Sequence, residues 1–237
     1  MKSFFAPLGG LCLLVLGACS GQITGQVAQD ASGALQIQAG LAPNMVSLIS
    51  TFRSFNSNGA QTGPILNAAA IAGSLQTAPG VKSAVLRNSG QERLEGTVAV
   101  SHVGELFSAG GGFIRYEAPS GTAPGRISIR LDRTTGPRIL SVFSSEAVDY
   151  LSALSAPAAT GEALTKKEYL ELVESIYGKA IADEIAASRI RAVISFPGQI
   201  RAVTGGTFSG REARFDIPLP DILVLETPLN YEVVWGR

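Results

Sequence analysis

The single histidine, His102, is the first residue to consider for catalysis, because Ser101 precedes it and Glu105 follows three residues later. A serine, a histidine and a carboxylate are the three groups of a common hydrolase site. Ser101 and His102 end an alternating strand pattern, however, and neighbouring residues of a strand point to opposite faces of its sheet. One histidine also provides no pair of imidazole ligands for a metal ion. We therefore expect His102 to be an ordinary polar residue at the end of a strand.

Other groups that could do chemistry have simpler explanations. The three glycines at 110–112 could hold a phosphate through backbone N–H groups, but no Lys-Ser or Lys-Thr follows them, as a P-loop requires. Carboxylates that could serve acid–base chemistry are explained more simply as parts of solvated helix faces: Glu146, Asp149, Asp183 and Glu184. We expect no enzymatic activity, no catalytic residue, no metal site and no cofactor.

Cys19 has the clearest chemical assignment in the chain. It ends the run Leu16-Gly17-Ala18-Cys19, directly behind a largely apolar stretch that follows one positive charge. This layout is that of a secretory signal, and the four residues resemble the lipobox of bacterial lipoproteins. By that resemblance the Cys19 thiol is acylated and the signal is cleaved between Ala18 and Cys19. The alternative is an uncleaved transmembrane anchor, but the stretch falls short of the roughly 20 apolar residues that span a bilayer.

The chain divides by composition into three parts. We predict a signal peptide over 1–18, a lipidated cysteine with a tether over 19–32, and a single α+β domain over 33–237. The tether region is rich in Gly, Gln, Ser and Ala, although Ile23 and Val27 could instead belong to an edge strand. Ser20 stands where an aspartate retains lipoproteins in the inner membrane of many enteric bacteria. We therefore favour the outer membrane over the inner one, on the extracytoplasmic side.

Charge and cysteine content limit the possible partners. The 19 acidic and 19 basic residues balance, so the basic surplus that a nucleic-acid partner requires is missing. Cys12 lies in the predicted signal and Cys19 would carry lipid, which leaves the folded region without a thiol for a disulfide. Charged residues make up only 16% of the chain, below the roughly 25% of soluble domains. An apolar surface is therefore expected, either exposed or enclosed.

Residue periodicity predicts separate blocks of helices and strands. The order is a strand, two helices, four strands, two helices, and three or four strands. Thr165 and Glu168 form the pattern of a capping box at the start of the most regular helix, and Gly178 is expected to bend or split it. The other predicted helices cover 43–55, 64–77 and 142–154. Such blocks favour an α+β fold, with a curved antiparallel sheet and two helix pairs.

The C-terminal third carries turn and strand motifs that resemble those of LppM-like bacterial lipoproteins, of a type that also occurs in spirochaetes. The resemblance covers residues 165–235 best and rests on the following positions: Pro197, Gly198, Gly205, Gly206, Pro218, Pro228 and Trp235. It implies a helix-grip-like α+β fold whose curved sheet surrounds an apolar cavity, and it implies binding of an amphiphile. Its motifs are turns and apolar positions, and they identify a fold better than a function.

Two sets of residues are candidates for contact with a ligand or a membrane. Arg189 and Arg191 could pair with lipid phosphates through their guanidinium forks, or line the outer face of a strand. The first predicted helix contributes apolar side chains that could form a cavity wall or touch a membrane: Met45, Ile49, Phe52 and Phe55. Packing of these side chains in the core against the sheet is the alternative.

These observations together predict a membrane-anchored extracytoplasmic lipoprotein that binds a lipid, glycolipid or other amphiphile without catalysis. The membrane contact would be made through the N-terminal lipid, and no nucleic acid is expected as a partner. The alternative is a structural or protein-interaction lipoprotein of the cell envelope that has no ligand cavity.

Overall fold

The computed structural model describes residues 20–56, 63–108, 113–135, 152 and 154–236, without the side chains at 55, 56, 107 and 108. In chain order the strands are β1 (Ser20–Val27), β2 (Gly33–Gly40), β3 (Val81–Asn88), β4 (Arg93–Val100), β5 (Ile114–Glu117), β6 (Gly125–Leu131), β7 (Arg189–Ser195), β8 (Ile200–Thr204), β9 (Thr207–Ser209), β10 (Glu212–Pro218) and β11 (Leu229–Trp235). The helices are α1 (Pro43–Asn56), α2 (Ala68–Gln76), α3 (Val103–Ser108), α4 (Pro157–Thr160), α5 (Lys166–Tyr177), α6 (Lys179–Ala187) and α7 (Leu219–Val224).

The strands of the described residues form two sheets, which makes the fold a mixed α+β one as predicted. The large sheet has the order β3-β4-β2-β1-β7-β10-β9, and the small sheet has the order β5-β6-β11-β8. The prediction of one curved antiparallel sheet is wrong in two respects: there are two sheets, and β1 pairs with β7 in parallel. The pattern of a single strand carries no information on the direction of its partner, so sequence alone did not reveal this pair.

The predicted tether is wrong for residues 20–27, because they form β1 near the centre of the large sheet. This strand pairs antiparallel with β2 along its whole length, from Ser20 opposite Gly40 to Val27 opposite Gly33, and parallel with β7 on its other side. Two of the inward positions of β1 are glycines, so its sequence lacks the alternation of apolar and polar residues that identifies a strand. A Cβ on Gly25 would lie 2.5 Å from Cδ2 of Leu35 and 3.0 Å from Cδ1 of Ile194. Neighbouring apolar side chains thus occupy the space that a larger residue on β1 would need.

The large sheet has one apolar face and one polar face. The inward positions carry small or apolar residues that belong to the hydrophobic core, such as Ile37, Val98 and Ala213. The outward positions carry exposed polar residues, such as Gln22, Thr24, Gln36, Gln38 and Thr97. This alternation is the pattern that an antiparallel sheet shows when it packs on one side only.

The predicted helix pairs are not confirmed. Helix α1 contacts α6, whereas α2 packs on strand β3. The helix predicted over 142–154 lies outside the described residues except at 152 and 154. The capping box is confirmed, since the Thr165 hydroxyl accepts a hydrogen bond from the Glu168 N–H and the Glu168 carboxylate accepts one from the Thr165 N–H. Gly178 ends α5 and begins α6 with φ of 90°, which shows that it splits the helix.

The two sheets meet at what we call the sheet junction, defined by two aromatic pairs. Phe196 follows β7 of the large sheet and lies 4.7 Å from Trp235 of the small sheet, between ring centroids. Phe215 on β10 meets Tyr231 on β11 edge-on at 5.7 Å. Between β8 and β9 the chain passes from the small sheet to the large one through Gly205 and Gly206.

The residues of the C-terminal motifs are distributed over this half of the molecule. Pro197 and Gly198 form the turn between β7 and β8, Pro218 ends β10 directly before α7, and Pro228 is exposed just before β11. Trp235 is completely buried, as expected for a core residue. These positions therefore act in turns and packing.

Candidate functional site

A groove of about 640 Å³ lies at one end of the large sheet, where β1, β4 and β7 begin and β2 ends. We call this region the anchor end after the lipid anchor predicted for Cys19, which directly precedes Ser20 in the sequence. The volume falls within the roughly 300–1,000 Å³ range of small-molecule pockets. Its walls come from the sheet, from the start of α1 and from the end of α6. The groove is therefore the candidate ligand site of the described residues.

One row of residues crosses the floor of the groove. Arg189 on β7 is in register with Ser20 on β1, Ser20 with Gly40 on β2, and Gly40 with Arg93 on β4. Adjacent strands lie about 4.8 Å apart, so the two arginine Cα atoms are separated by roughly 14 Å. Two small residues thus lie between two long basic side chains on the outward face.

A second row lies next to the first, two residues further along each strand. It consists of Arg191, Gln22, Gln38 and Glu95 in register. All four residues line the groove. The guanidinium of Arg191 lies 3.8 Å from the Asp216 carboxylate, and both side chains are more than half exposed. An exposed pair of this kind is worth little, so it does not prevent Arg191 from binding another anion.

Both carboxylates of the groove already have partners. Glu184 at the end of α6 accepts hydrogen bonds from the N–H groups of Asn44 at 3.0 Å and Met45 at 2.9 Å, at the start of α1. It also accepts one from the Asn44 side-chain amide at 2.8 Å. Glu95 pairs with Arg87 at 2.8 Å. Glu184 is thus bound to the start of α1, whereas Glu95 has only a solvent-exposed partner.

Arg93 and Arg189 have no such compensation. Across the described parts of the chain, neither side chain forms an ion pair or a hydrogen bond in the structure. The site therefore combines an open volume, two uncompensated positive charges and a third arginine with a weak partner. Chemically, this arrangement can bind an anion, and guanidinium groups favour phosphate or carboxylate.

Sequence reasoning found two of the three arginines. Arg189 and Arg191 line the groove, where they can act as the anion contacts predicted for them. Arg93 was missed, because it lies almost a hundred residues away in the chain. Its position opposite Gly40 depends on the pairing of β2 with β4, which the sequence does not reveal.

The apolar residues of α1 divide differently. Met45 and Ile49 are 4% and 6% exposed and belong to the core, so they make no surface contact and line no part of the groove. Phe52 is half-buried and meets Tyr177 of α5 edge-on at 6.0 Å. Nothing is described of the Phe55 side chain. For Met45 and Ile49 the structure supports the alternative of core packing.

The Ser101, His102 and Glu105 trio forms no catalytic arrangement. The Ser101 hydroxyl donates to the Gly80 carbonyl at 3.0 Å. The Nδ1 atom of His102 accepts a bond from the Glu105 N–H at 3.4 Å, at the first turn of α3. His102 is exposed and meets Tyr116 edge-on. The Ser101 hydroxyl and the His102 Nδ1 atom are thus engaged with backbone and not with each other, and the described residues contain no group of three metal-ligating side chains.

The predicted lipidation motif lies outside the described residues. Ala18 and Cys19 immediately precede Ser20, the first residue of β1. Among the described residues, no helix has the length and apolar character needed to cross a membrane.

The fold and the groove define an α+β protein with a polar, basic site at one end of its large sheet. No protein-family model matches the chain. No curated protein matches it either. Among solved structures, it is similar to the NMR structure of the folded domain of the Mycobacterium tuberculosis LppM protein, with a TM-score of 0.40 and 11% identity, over 92% of this chain and 89% of that one. Likeness at this level does not establish membership of the LppM-like family, and it carries no conclusion about function.

Proposed function

We propose that this chain is a membrane-anchored extracytoplasmic lipoprotein that binds an amphiphile without catalysis, with the polar part of the ligand in the groove. The observation that carries the proposal is the start of β1 at Ser20, directly after Cys19 and within the groove. Consecutive Cα atoms lie about 3.8 Å apart, so an acyl group on Cys19 would hold the groove at the head-group layer of the membrane.

Because no linker separates Cys19 from β1, the distance of the domain from the membrane is limited. A long tether would let the domain sample all orientations and distances, whereas a strand that begins one residue after the lipid restricts them. The acyl chains of a ligand could then stay in the bilayer beside the lipid on Cys19, while its head group enters the groove. This arrangement needs no apolar cavity in the domain. We favour the outer membrane, because Ser20 is not an aspartate.

Lipidation is tested with the full chain, expressed with its own signal in a bacterial host. Cys19→Ser is expected to abolish acylation, because the Cys19 sulfur is the acylated atom. Cleavage is then lost as well, since it follows acylation. The intact mass of the membrane-fraction protein measures both events. Cys12→Ser is the matched control. Cys12 lies inside the apolar stretch that is removed with the signal, so the mature protein should have the same mass as the parent. An intact mass that Cys19→Ser changes only by the difference between a sulfur and an oxygen atom would refute the anchor.

Amphiphile binding is tested on the same full chain, purified from membranes in a mild detergent. Native mass spectrometry and solvent extraction are expected to show a lipid-sized adduct at a stoichiometric level. A clean protein mass, with no uptake of added lipids, would contradict ligand binding.

A protein-interaction role is the second candidate, and the outer face of the large sheet favours it. Thr24, Gln36 and Thr97 stand in register on β1, β2 and β4, and all three are exposed. This row of three uncharged hydrogen-bonding side chains, which continues to the exposed Val85 on β3, suits a protein partner better than a membrane. In cross-linking of intact cell envelopes, Gln36→Lys is expected to reduce the yield of cross-linked partner protein, because it places a charge in the middle of this row. Thr122→Lys on an exposed loop should leave the yield unchanged. Equal capture by both variants would reject this role.

A further inference from the structure

We infer that the groove binds a phosphate ester, held between Arg93 and Arg189 above the floor formed by Ser20 and Gly40. The inference rests on the proposed function, since it names the chemical class of the ligand's head group. It assigns a ligand contact to Arg93, which sequence analysis did not single out. The favoured source of the phosphate is the head group of a phospholipid in the membrane that carries the anchor.

The register of the strands provides the geometry. Arg93 and Arg189 occupy the two ends of one outward row of four residues, and their Cα atoms lie roughly 14 Å apart. Two extended arginine side chains can cover that distance from opposite sides. A phosphate group between them could accept a forked hydrogen-bond pair from each guanidinium.

The floor between the arginines is open because of Gly40. A Cβ built on Gly40 would lie 3.5 Å from Cγ of Arg93 and 4.0 Å from Oγ of Ser20. The space above this glycine is thus bounded on one side by the base of the Arg93 side chain and on the other by the Ser20 hydroxyl. A hydroxyl is a donor to phosphate oxygen, so three donor side chains, two guanidiniums and one hydroxyl, line the same groove.

The charges select an anion over a neutral or cationic head group. Neither carboxylate that lines the groove forms an ion pair with Arg93 or Arg189, because Glu184 accepts hydrogen bonds from the start of α1 and Glu95 pairs with Arg87. A cationic ligand would face two arginines without a free acid. A phosphate ester restores neutrality, and its bidentate geometry matches the guanidinium fork better than a halide or a hydroxyl does.

The experiment measures binding of soluble short-chain probes to the detergent-purified full chain. The probes are dihexanoyl phosphatidic acid, inorganic phosphate and octyl glucoside, and the readouts are the ³¹P NMR shift for the phosphates and native mass for all three. Arg93→Gln and Arg189→Gln are each expected to weaken phosphatidic acid about tenfold or more, as for loss of a charged hydrogen bond. Arg115→Gln is the matched control, because it removes the same charge from an exposed position on β5.

The outcomes separate the inference from the function on which it rests. Phosphatidic acid binding that falls in both groove variants and persists in Arg115→Gln supports the phosphate site. Binding of octyl glucoside as tight as that of phosphatidic acid, unchanged in both variants, would overturn the phosphate site and leave amphiphile binding intact. Inorganic phosphate that binds as tightly as phosphatidic acid, with the same dependence on arginine, would keep the site but reject a lipid source. Failure of all three probes would overturn both proposals.

Discussion

The anchor end and the sheet junction use glycine in opposite ways. At the junction, the space beside the glycines is filled. The indole of Trp235 occupies the place of a Cβ on Gly125, and a Cβ on Gly206 would lie 2.5 Å from the Arg214 carbonyl oxygen and 2.6 Å from the Phe215 ring. At the anchor end, the nearest atom to a Cβ on Gly40 would be Cγ of Arg93, at an ordinary 3.5 Å. The same residue type therefore indicates close packing in one region and open volume in the other. What distinguishes them is the side chain on the neighbouring strand.

The strongest test of this contrast is removal of the ring that fills the junction. Trp235 is completely buried against Phe196, so Trp235→Ala is expected to lower the free energy of unfolding by about 3–5 kcal/mol. Urea unfolding followed by circular dichroism measures the loss. Phe208→Ala is the control: Phe208 is 46% exposed, and its truncation should stay within about 0.5 kcal/mol. Similar losses for the two variants would mean that the junction is not a packed core.

A pair of glycine variants compares the two regions directly. Gly125→Ala is expected to cost about 1–3 kcal/mol, because the new methyl group would overlap the indole of Trp235. Gly40→Ala should change the free energy of unfolding by less than about 0.5 kcal/mol, since its methyl group would meet only ordinary contacts. Thermal or urea unfolding of both variants gives the comparison. A larger loss for Gly40→Ala would show that the groove floor is tightly packed.

Sequence reasoning succeeded where the signal was local. The capping box of Thr165 and Glu168 spans four residues, and the helix that it starts was predicted correctly. The run Asn88-Ser89-Gly90 between β3 and β4 has the composition of a hairpin turn, and Gly90 adopts a φ of 87° that glycine favours. Both features depend on neighbours in the chain, so composition and spacing were sufficient.

Sequence reasoning failed where a residue's role depends on a distant strand. Gly25 made β1 look like a tether, and the side chains of Leu35 and Ile194 on the neighbouring strands take up the space beside it. The groove depends on the parallel pairing of β1 with β7, which joins residues more than 160 positions apart. Arg93 and Arg189 share one row only through that pairing. A single sequence contains no periodicity that encodes it.

The two regions should also differ in their response to alkali. Burial raises the pKa of Tyr231 at the junction above its ordinary value of 10.0, and the charge of Asp221 adds to the shift. The folded state then keeps a proton that the unfolded state has lost. The stability from this group is fully present below pH 10 and decreases as pH rises through the folded pKa.

Tyr231→Phe is expected to reduce that decrease, because phenylalanine has no proton to lose. Urea unfolding from about pH 9 to pH 11 measures the slope of stability against pH. Arg93→Gln is the control at the anchor end, since arginine stays protonated over this range and its removal should leave the slope unchanged. An unaltered slope in Tyr231→Phe would assign the alkaline sensitivity to another tyrosine, such as Tyr116, whose pKa burial also raises.

The smallest expected change in stability is at the proposed phosphate site itself. Arg93 and Arg189 have no ion pair within the described residues, so Arg93→Gln and Arg189→Gln should keep the free energy of unfolding within about 0.5 kcal/mol of the parent chain. Chemical unfolding of the two variants, run beside the ³¹P binding measurement, tests this. A loss of binding without a loss of stability would mean that the arginines serve a ligand. A loss of both would mean that they hold the strands of the anchor end together, and the contrast with the sheet junction would disappear.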